Sequence, residues 1–352
     1  MILSHLQIHN LRNIESARLN FHPKLNLILG ENGSGKTSFL EAIYLLGTGH
    51  SFRTREISPL IRHGAPNLSV FARTRDEQTI SISKSIADPT QVRLNGFPCK
   101  SSSELAHFLP CQVFYQDIFQ IIDAGPSVRR SLLDWGMFHV KQSYHSLWKN
   151  YRRALKQRNA LLKQRASQQH VEPWNLILDE LGTQLDYLRK EYFEQLSDAF
   201  SRILEQLTDL HCSLHYYKGW DRKDSNKSLA AVLADNYDSD LQRQFTQYGA
   251  HQADLFVESN EFKVKQYLSR GQQKIILFAL KLAQTRLINQ SCLYLCDDLS
   301  SELDQRHLIR LFELIDEING QFFITSISSE SLPLNPATEL EIFNFNEEGV
   351  LV

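Results

Sequence analysis

From residue 2 to residue 30, apolar and polar positions alternate in short runs, "ILSHLQIHNLRNIESARLNFHPKLNLILG". This predicts a series of strands, the last being "LNLIL", which runs directly into glycines. The period then lengthens. In "KTSFLEAIYLL" (36–46) Phe39, Leu40, Ile43 and Leu46 fall on one side of a predicted helix. Alternation returns over 68–97 in "LSVFARTR", "QTISISKS" and "QVRLNG", an expected antiparallel meander with turns at Asp88-Pro89 and Asn95-Gly96. Around 126 the character changes again, and the stretch to about 210 reads as charged helix with few glycines and Pro173 in its middle. Strand patterning resumes as "ADLFVES" (253–259), followed by a helix after Ser269 and the apolar runs "CLYLC" (292–296) and "QFFITSI" (321–327). A continuous run such as "CLYLC" suits a strand buried on both faces. There is no internal repeat.

Composition narrows this picture. At 352 residues and 42% hydrophobic content, the chain is long enough for two domains. Its longest apolar stretches, such as "IILFAL" (275–280), fall short of the roughly 18–20 residues of a membrane span. "MILSHLQIHNLRNIE" meets polar residues at once and lacks the layout of a signal peptide, so a soluble, cytoplasmic protein is expected. The five cysteines, Cys99, Cys111, Cys212, Cys292 and Cys296, form no CxxC pair, which argues against disulfides and structural zinc.

The formal net charge of −2 argues against a basic coat over the whole protein, so any nucleic-acid site must be local. The helical stretch offers one. Residues 126–166 hold ten Lys/Arg against one acid, Asp134, whereas 172–209 hold nine Asp/Glu against three Lys/Arg. Two oppositely charged helices separated near "HVEPWN" suggest a hairpin or bundle. On charge alone, the basic half, which includes Arg129, Arg130, Lys149, Arg152, Arg153, Lys156, Arg158, Lys163 and Arg165, either contacts phosphates or pairs with the acidic helix.

The chemistry begins at Gly30-Glu31-Asn32-Gly33-Ser34-Gly35-Lys36-Thr37, a complete GxxxxGK[ST] with a strand before it and a helix after it. Glycines let backbone N–H groups curl round phosphate oxygens, Lys36 reaches the terminal phosphates, and the Thr37 hydroxyl ligates Mg²⁺. Such a loop needs an acid at the end of a neighbouring strand. "SCLYLCDDLSSELD" supplies two, Asp297 to hold Mg²⁺ and Asp298 to orient or deprotonate water. A second anion-binding feature, "YLSRGQQK" (267–274), opens the helix after Ser269 with a good N-cap and with Gly271 for close approach.

About 260 residues separate the two nucleotide motifs, room for an inserted domain. With "YLSRGQQK" and with "SSELD" after the paired acids, the chain resembles the ABC-type ATPase heads of the SMC and Rad50 group, and within it the RecF family. The resemblance runs through "LRNI", "GENGSGKTSFLEAIYLLGTGHSFR", "GPSVRRSLLDWGMFH", "LKQRNALL", "GAHQADL", "LSRGQQK" and "DDLSSELD". It implies an α/β fold in which an ABC-type P-loop head is built from both chain ends, 1–125 plus 246–352, with a helical arm at 126–245.

The resemblance further implies a weak, DNA-stimulated ATPase of recombinational repair, acting in the replication and SOS context. ATP and Mg²⁺ would close a homodimer on double-stranded or gapped DNA. Slow hydrolysis would release it, helping RecO and RecR load recombinase on single-stranded gaps. Ser269, Gly271 and Gln272 would complete the partner's nucleotide site in trans, with Asp304 of "SSELD" approaching across the same interface, and Arg12 would touch the base or ribose side. The family often has Pro-Glu where this chain reads Tyr115-Gln116-Asp117, and Gln116 is taken as the Q-loop contact. "FFITSISSE" carries no switch histidine and leaves Thr325 or Ser326 to sense the γ-phosphate. Duplex DNA would lie on Arg152, Arg153, Lys156 and Arg158. A transporter-type ATPase subunit and an SMC-like tether are the rival readings. The long helical insert and the missing histidine oppose the first, and an arm of about 85 residues is short for the second.

Overall fold

A computed structural model describes residues 1–115, 119–221, 226–259, 262–334 and 338–346. Its parallel sheet has the strand order Glu341–Phe345, Leu25–Gly30, Gly320–Ser326, Cys292–Cys296, Cys111–Phe114. All four pairings are parallel. Every residue of "CLYLC" and "GQFFITS" is buried, as strands covered on both faces require. The P-loop strand Leu25–Gly30 lies beside Gly320–Ser326, which lies beside Cys292–Cys296. This order brings the carboxyl ends of three strands together, which is where open α/β sheets bind ligands.

A second, antiparallel sheet runs Ile14–Asn20, Leu3–Leu11, Asn67–Thr74, Thr79–Ser85, Gln91–Leu94, Phe97–Pro98. The meander read over 68–97 is its second half. Asn95 (φ 50°) and Gly96 (φ 82°) both take left-handed backbone, the two-residue turn whose twist suits a hairpin. Inward residues of this sheet, among them Leu6, Ile8, Val70 and Ile82, form one core with Phe39, Leu40 and Ile43 of the helix Lys36–Thr48. The helix after the P-loop is thus clamped between two sheets.

The chain divides by compactness into 1–118 with 289–352, and 119–288. Residues 246–288, expected to belong to the head, therefore pack with the helical unit, and the boundaries at 125 and 246 move outward. Side chains explain why. The helix Arg270–Arg286 packs on the long helix Gln168–Leu207, and Gln284 Nε2 donates to the Leu132 carbonyl at 2.7 Å.

The second unit also contains the helices Pro126–Val140 and Tyr144–Lys163, and a small antiparallel sheet of Phe262–Lys263, Asp254–Ser259 and Ser213–Tyr217. The break between the oppositely charged helices falls at residues 164–167 and not near "HVEPWN", because Pro173 lies inside the 40-residue helix. Proline in the second turn removes one intrahelical bond. The heptad-spaced Val171, Leu178, Leu185 and Tyr192, all fully buried, outweigh that loss.

One buried group gives this unit a pH dependence. His251 is held between the Tyr151 hydroxyl at Nδ1 (3.0 Å) and the Thr246 carbonyl at Nε2 (3.0 Å). Burial, ahead of repulsion from Arg130 and Arg158, pushes its pKa down to about 4, against the pull of the Thr246 carbonyl. A depressed folded pKa means that the unfolded chain binds the proton first, so stability is complete above about 6.5 and drains as pH falls toward 4. Urea unfolding should find the unit less stable at pH 5 than at pH 7 by on the order of 2 kcal/mol. His251→Gln should flatten that slope.

Candidate active site and nucleic-acid face

The P-loop is shaped by positions where only glycine fits. At Gly30 (φ 156°) a Cβ would come within 2.5 Å of the Phe345 carbonyl oxygen. At Gly35 (φ 106°), the N-cap of the helix, it would meet the Asn13 side chain at 3.0 Å. Asn13 follows Arg12 in "LRNI" and braces the loop. Its Nδ2 donates to the Gly33 carbonyl at 3.1 Å, and its Oδ1 accepts from Ser38 Oγ at 3.1 Å. The motif "LRNI" points to Arg12 and gives no sign of this role of Asn13.

Lys36 Nζ donates to the carbonyls of Gly30 (2.6 Å) and Glu31 (2.9 Å), which holds the ammonium over the loop. Burial lowers its pKa, while Asp298, Asp297 and Glu31 pull it back up. The Ser34 hydroxyl is buried in the same loop with no hydrogen-bond partner among the described residues. A phosphate oxygen is the kind of group that would satisfy it.

Thr37 Oγ1 lies 3.0 Å from both carboxylate oxygens of Asp297. Thr325 Oγ1 donates to Asp297 Oδ1 at 3.0 Å and accepts from the Asp298 N–H at 2.7 Å. Burial raises the pKa of Asp297, opposed by the two threonine donors. Hydroxyl and carboxylate oxygens in contact form a hard donor set that suits Mg²⁺.

Asp298 adopts left-handed backbone (φ 48°, ψ 49°) at the start of the turn Leu299–Glu302. Its Oδ2 accepts from Ser301 Oγ at 2.6 Å, and its Oδ1 is buried with no partner among the described residues. A strained residue with an unsatisfied carboxylate oxygen has the features expected of a water-handling base. Of the two sensor candidates, Thr325 joins the paired acids, whereas Ser326 turns to Ser300, Ser328 and Ser331. Gln116 lies outside the described residues.

Arg12 is held by a buried acid. Its guanidinium makes a two-pronged pair with the buried Glu41, through Nε and through Nη2 at 2.8 Å, and Nη1 reaches the Pro59 carbonyl at 3.2 Å. Ser51 also donates to Glu41. The signal for this pairing was the lone acid in the apolar run "FLEAIYLL".

The helix after Ser269 starts at the expected N-cap. Ser269 caps the helix Arg270–Arg286 in a complete capping box with Gln272: the Ser269 hydroxyl accepts from the Gln272 N–H (3.4 Å), and the Gln272 side chain accepts from the Ser269 N–H (2.9 Å). Ser269 and Gly271 are exposed, and a Cβ on Gly271 would meet nothing within 4 Å. Asp304 is also exposed and caps Gln305–Glu317, accepting from the His307 N–H (3.0 Å) and from Nδ1 of that imidazole (2.7 Å). The His307 bonds lower the pKa of Asp304.

The basic half of the arm sorts by helical face. Arg158 is fully buried, so it is removed from the DNA-contact candidates. It donates to Asn175 Oδ1, Asp240 Oδ2 and Thr246 Oγ1, each at 2.7 Å. Lys149, Arg152, Arg153, Lys156, Lys163 and Arg165 are exposed and make no ion pair among the described residues. Among the described residues, pairing with the acidic helix is confined to Lys141–Glu191 and, with the signs crossed, Arg189–Asp134.

Comparison with known proteins follows the same lines. The model of the RecF/RecN/SMC N terminal domain family matches residues 2–347. The chain is 36% identical over 357 residues to the DNA replication and repair protein RecF of Azotobacter vinelandii, covering 99% of this chain and 97% of that one. It is 37% identical over 360 residues to the protein of the same name from Psychromonas ingrahamii, with 100% of both covered. Among solved structures it is similar to that of the recombination mediator protein RecF with ATP in the RecFOR pathway, with a TM-score of 0.84 and 26% identity over 100% of this chain and 97% of that one. An Smc head bound to the C-winged helix domain of ScpA is 17% identical with a TM-score of 0.63, covers 100% and 96%, and shares the fold alone. Among the described residues, no helix is long and apolar enough to cross a membrane.

Proposed function

This chain belongs to the RecF/RecN/SMC family, within it to the RecF proteins of DNA replication and repair, and from that premise we propose that ATP closes two copies of it on double-stranded or gapped DNA. Slow, DNA-stimulated hydrolysis then opens the pair, and RecO- and RecR-type partners use the marked site to load recombinase on the single-stranded gap. Mg²⁺ would be held by Thr37 and Asp297 and would neutralise phosphate charge. Lys36 binds the terminal phosphates, and the Asp298 carboxylate takes the proton of the attacking water. Gln116 and Thr325 contribute on the γ-phosphate side. Asn13 keeps the loop in shape, and Arg12, fixed by Glu41, borders the nucleotide on its base or ribose side.

The observation that carries this reading is the exposed turn at Ser269–Gly271. A capped helix start with its backbone open to solvent is a ready anion site, and open space at Gly271 lets a second molecule approach closely. Ser269, Gly271 and Gln272 would thus face the γ-phosphate on the partner's P-loop, with Asp304 nearby. Such a two-fold arrangement makes closure depend on ATP and on protein concentration.

Asp298→Asn tests it. Turnover should fall by roughly 10²–10⁴-fold while ATP binding persists, so light scattering should find the variant accumulating as a dimer with ATP. A variant that remains monomeric with ATP bound would sink the closure mechanism.

The DNA face proposed is the exposed row Lys149, Arg152, Arg153 and Lys156, without Arg158. Replacing Arg152, Arg153 and Lys156 by glutamate should weaken duplex binding and reduce the slope of log affinity against log salt by roughly 0.9 for each lost phosphate contact. Titrations at several salt concentrations measure both.

A further inference from the structure

Beyond the edge strand Cys111–Phe114, the next helix of the described chain is the single turn Gln120–Asp123, preceded by Phe119. Residues flanking and following Ser269 grip this segment. Arg270 Nη1 donates to Asp123 Oδ2 at 2.7 Å, and its guanidinium carbon lies 4.8 Å from the centre of the Phe119 ring. Lys274, one turn further along the same helix, places Nζ 5.5 Å from that ring centre. Lys265 approaches from the other side of Ser269, with Nζ 3.4 Å from Asp123 Oδ1 and 3.4 Å from the Asp123 carbonyl oxygen, to which it donates.

Two features argue that this clasp has a task beyond ordinary packing. First, Arg270 and Lys274 stand at the start of a helix that has no acid in its first turn. Cations there oppose the helix dipole. The Asp123 carboxylate and the electron-rich Phe119 face offset that opposition. Second, apolar support behind the clasp is thin. Ile121 and Ile122, together with Leu132, Val264 and Leu280, line a cavity of about 520 Å³. Charged contacts therefore set the position of the segment more than close packing does.

We propose that Asp123 and Phe119 are positioning residues for the trans site: through Arg270 and Lys274 they fix the direction in which Ser269 and Gly271 are presented to the second chain's nucleotide. Arg270 stands between those two residues in the sequence, so a swing of its backbone moves both. Asp123 follows the edge strand by nine residues, and that strand pairs with the one leading into Asp297. In the sequence, Asp123 thus comes soon after the edge of the nucleotide-binding sheet. This assignment rests on the composite-site reading above.

The test is a charge exchange. Asp123→Arg, Arg270→Asp and the double exchange are compared with wild type by light scattering against protein concentration at saturating ATP, alongside ADP affinity and thermal midpoint. Each single change should raise the concentration needed for half dimerisation by on the order of tenfold, and the double exchange should recover most of that loss. ADP affinity and thermal midpoint should hold in all three, which separates positioning from misfolding. Single variants that dimerise like wild type, a loss that the exchange does not recover, or a loss that tracks a fall in thermal midpoint would each overturn the positioning role. A wild-type chain that stays monomeric with ATP would overturn the composite site and this role together, whereas a wild-type dimer with unaffected single variants overturns this role alone.

Discussion

Lys36→Met is expected to lose ATP turnover by at least roughly 10²–10³-fold and to lose ATP-driven dimerisation with it. The ammonium sits over the loop between the Gly30 and Glu31 carbonyls, partly withdrawn from water, and burial lowers its pKa. In such a place a fixed charge acts on developing phosphate charge with little screening. Methionine keeps the length of the side chain and removes the charge. The two carbonyl contacts it forfeits are local, and glycine geometry at Gly30 and Gly35 is untouched, so the thermal midpoint should stay close to wild type. Phosphate release and light scattering on the same preparation check the expectation. Wild-type turnover in this variant would remove Lys36 from the chemistry.

Arg158→Met should have the largest effect on stability, about 3–5 kcal/mol by the usual cost of breaking a buried pair. Arg158 and Asp240 are both fully buried and their side chains meet at 2.7 Å. Removing the guanidinium leaves Asp240 charged without its cation and takes from the Asn175 and Thr246 oxygens the donor that Arg158 supplies. Thermal unfolding should shift down by on the order of 10 °C. Arg158→Met combined with Asp240→Leu should recover part of the loss, because no lone charge then remains. Arg158→Met should also leave the salt dependence of DNA binding unchanged in whatever remains folded, in contrast to changes at Arg152, Arg153 and Lys156.

Arg158 also marks where the sequence was readable and where it was under-read. Tyr151, Ala154, Arg158 and Leu162 are buried at helical spacing, and that stripe is visible in the sequence. Charge type hid it, because an arginine in a basic run reads, like its neighbours, as a phosphate contact or as a partner of the acidic helix. The nucleotide site was more legible, since glycines that need special backbone, a lysine and a hydroxyl at fixed offsets, and two acids after an apolar run leave few alternatives. Thr37 and Asp297 indeed meet across 260 residues of chain. The bracing role of Asn13 leaves no spacing pattern, since its partners are the Gly33 carbonyl and the Ser38 hydroxyl, and the lone acid Glu41 in an apolar run signals a buried partner without naming Arg12. Pro173 does not break its helix, since burial of a heptad stripe exceeds the cost of one helix hydrogen bond. The boundary at 246 failed for a tertiary reason: the helix after Ser269 buries Ile276, Leu277 and Leu280, and helical period alone does not name the surface that covers them.

The central claim is that each working nucleotide site is assembled from two chains, and subunit mixing tests it most directly. Lys36→Met spoils the P-loop but keeps Ser269, and Ser269→Arg spoils the signature turn but keeps the P-loop. Neither variant alone should dimerise or turn over ATP. An equimolar mixture should form ATP-dependent dimers with one intact site, seen by light scattering and by restored phosphate release. Full activity in Ser269→Arg alone, or a mixture no more active than its separate parts, would contradict a shared site.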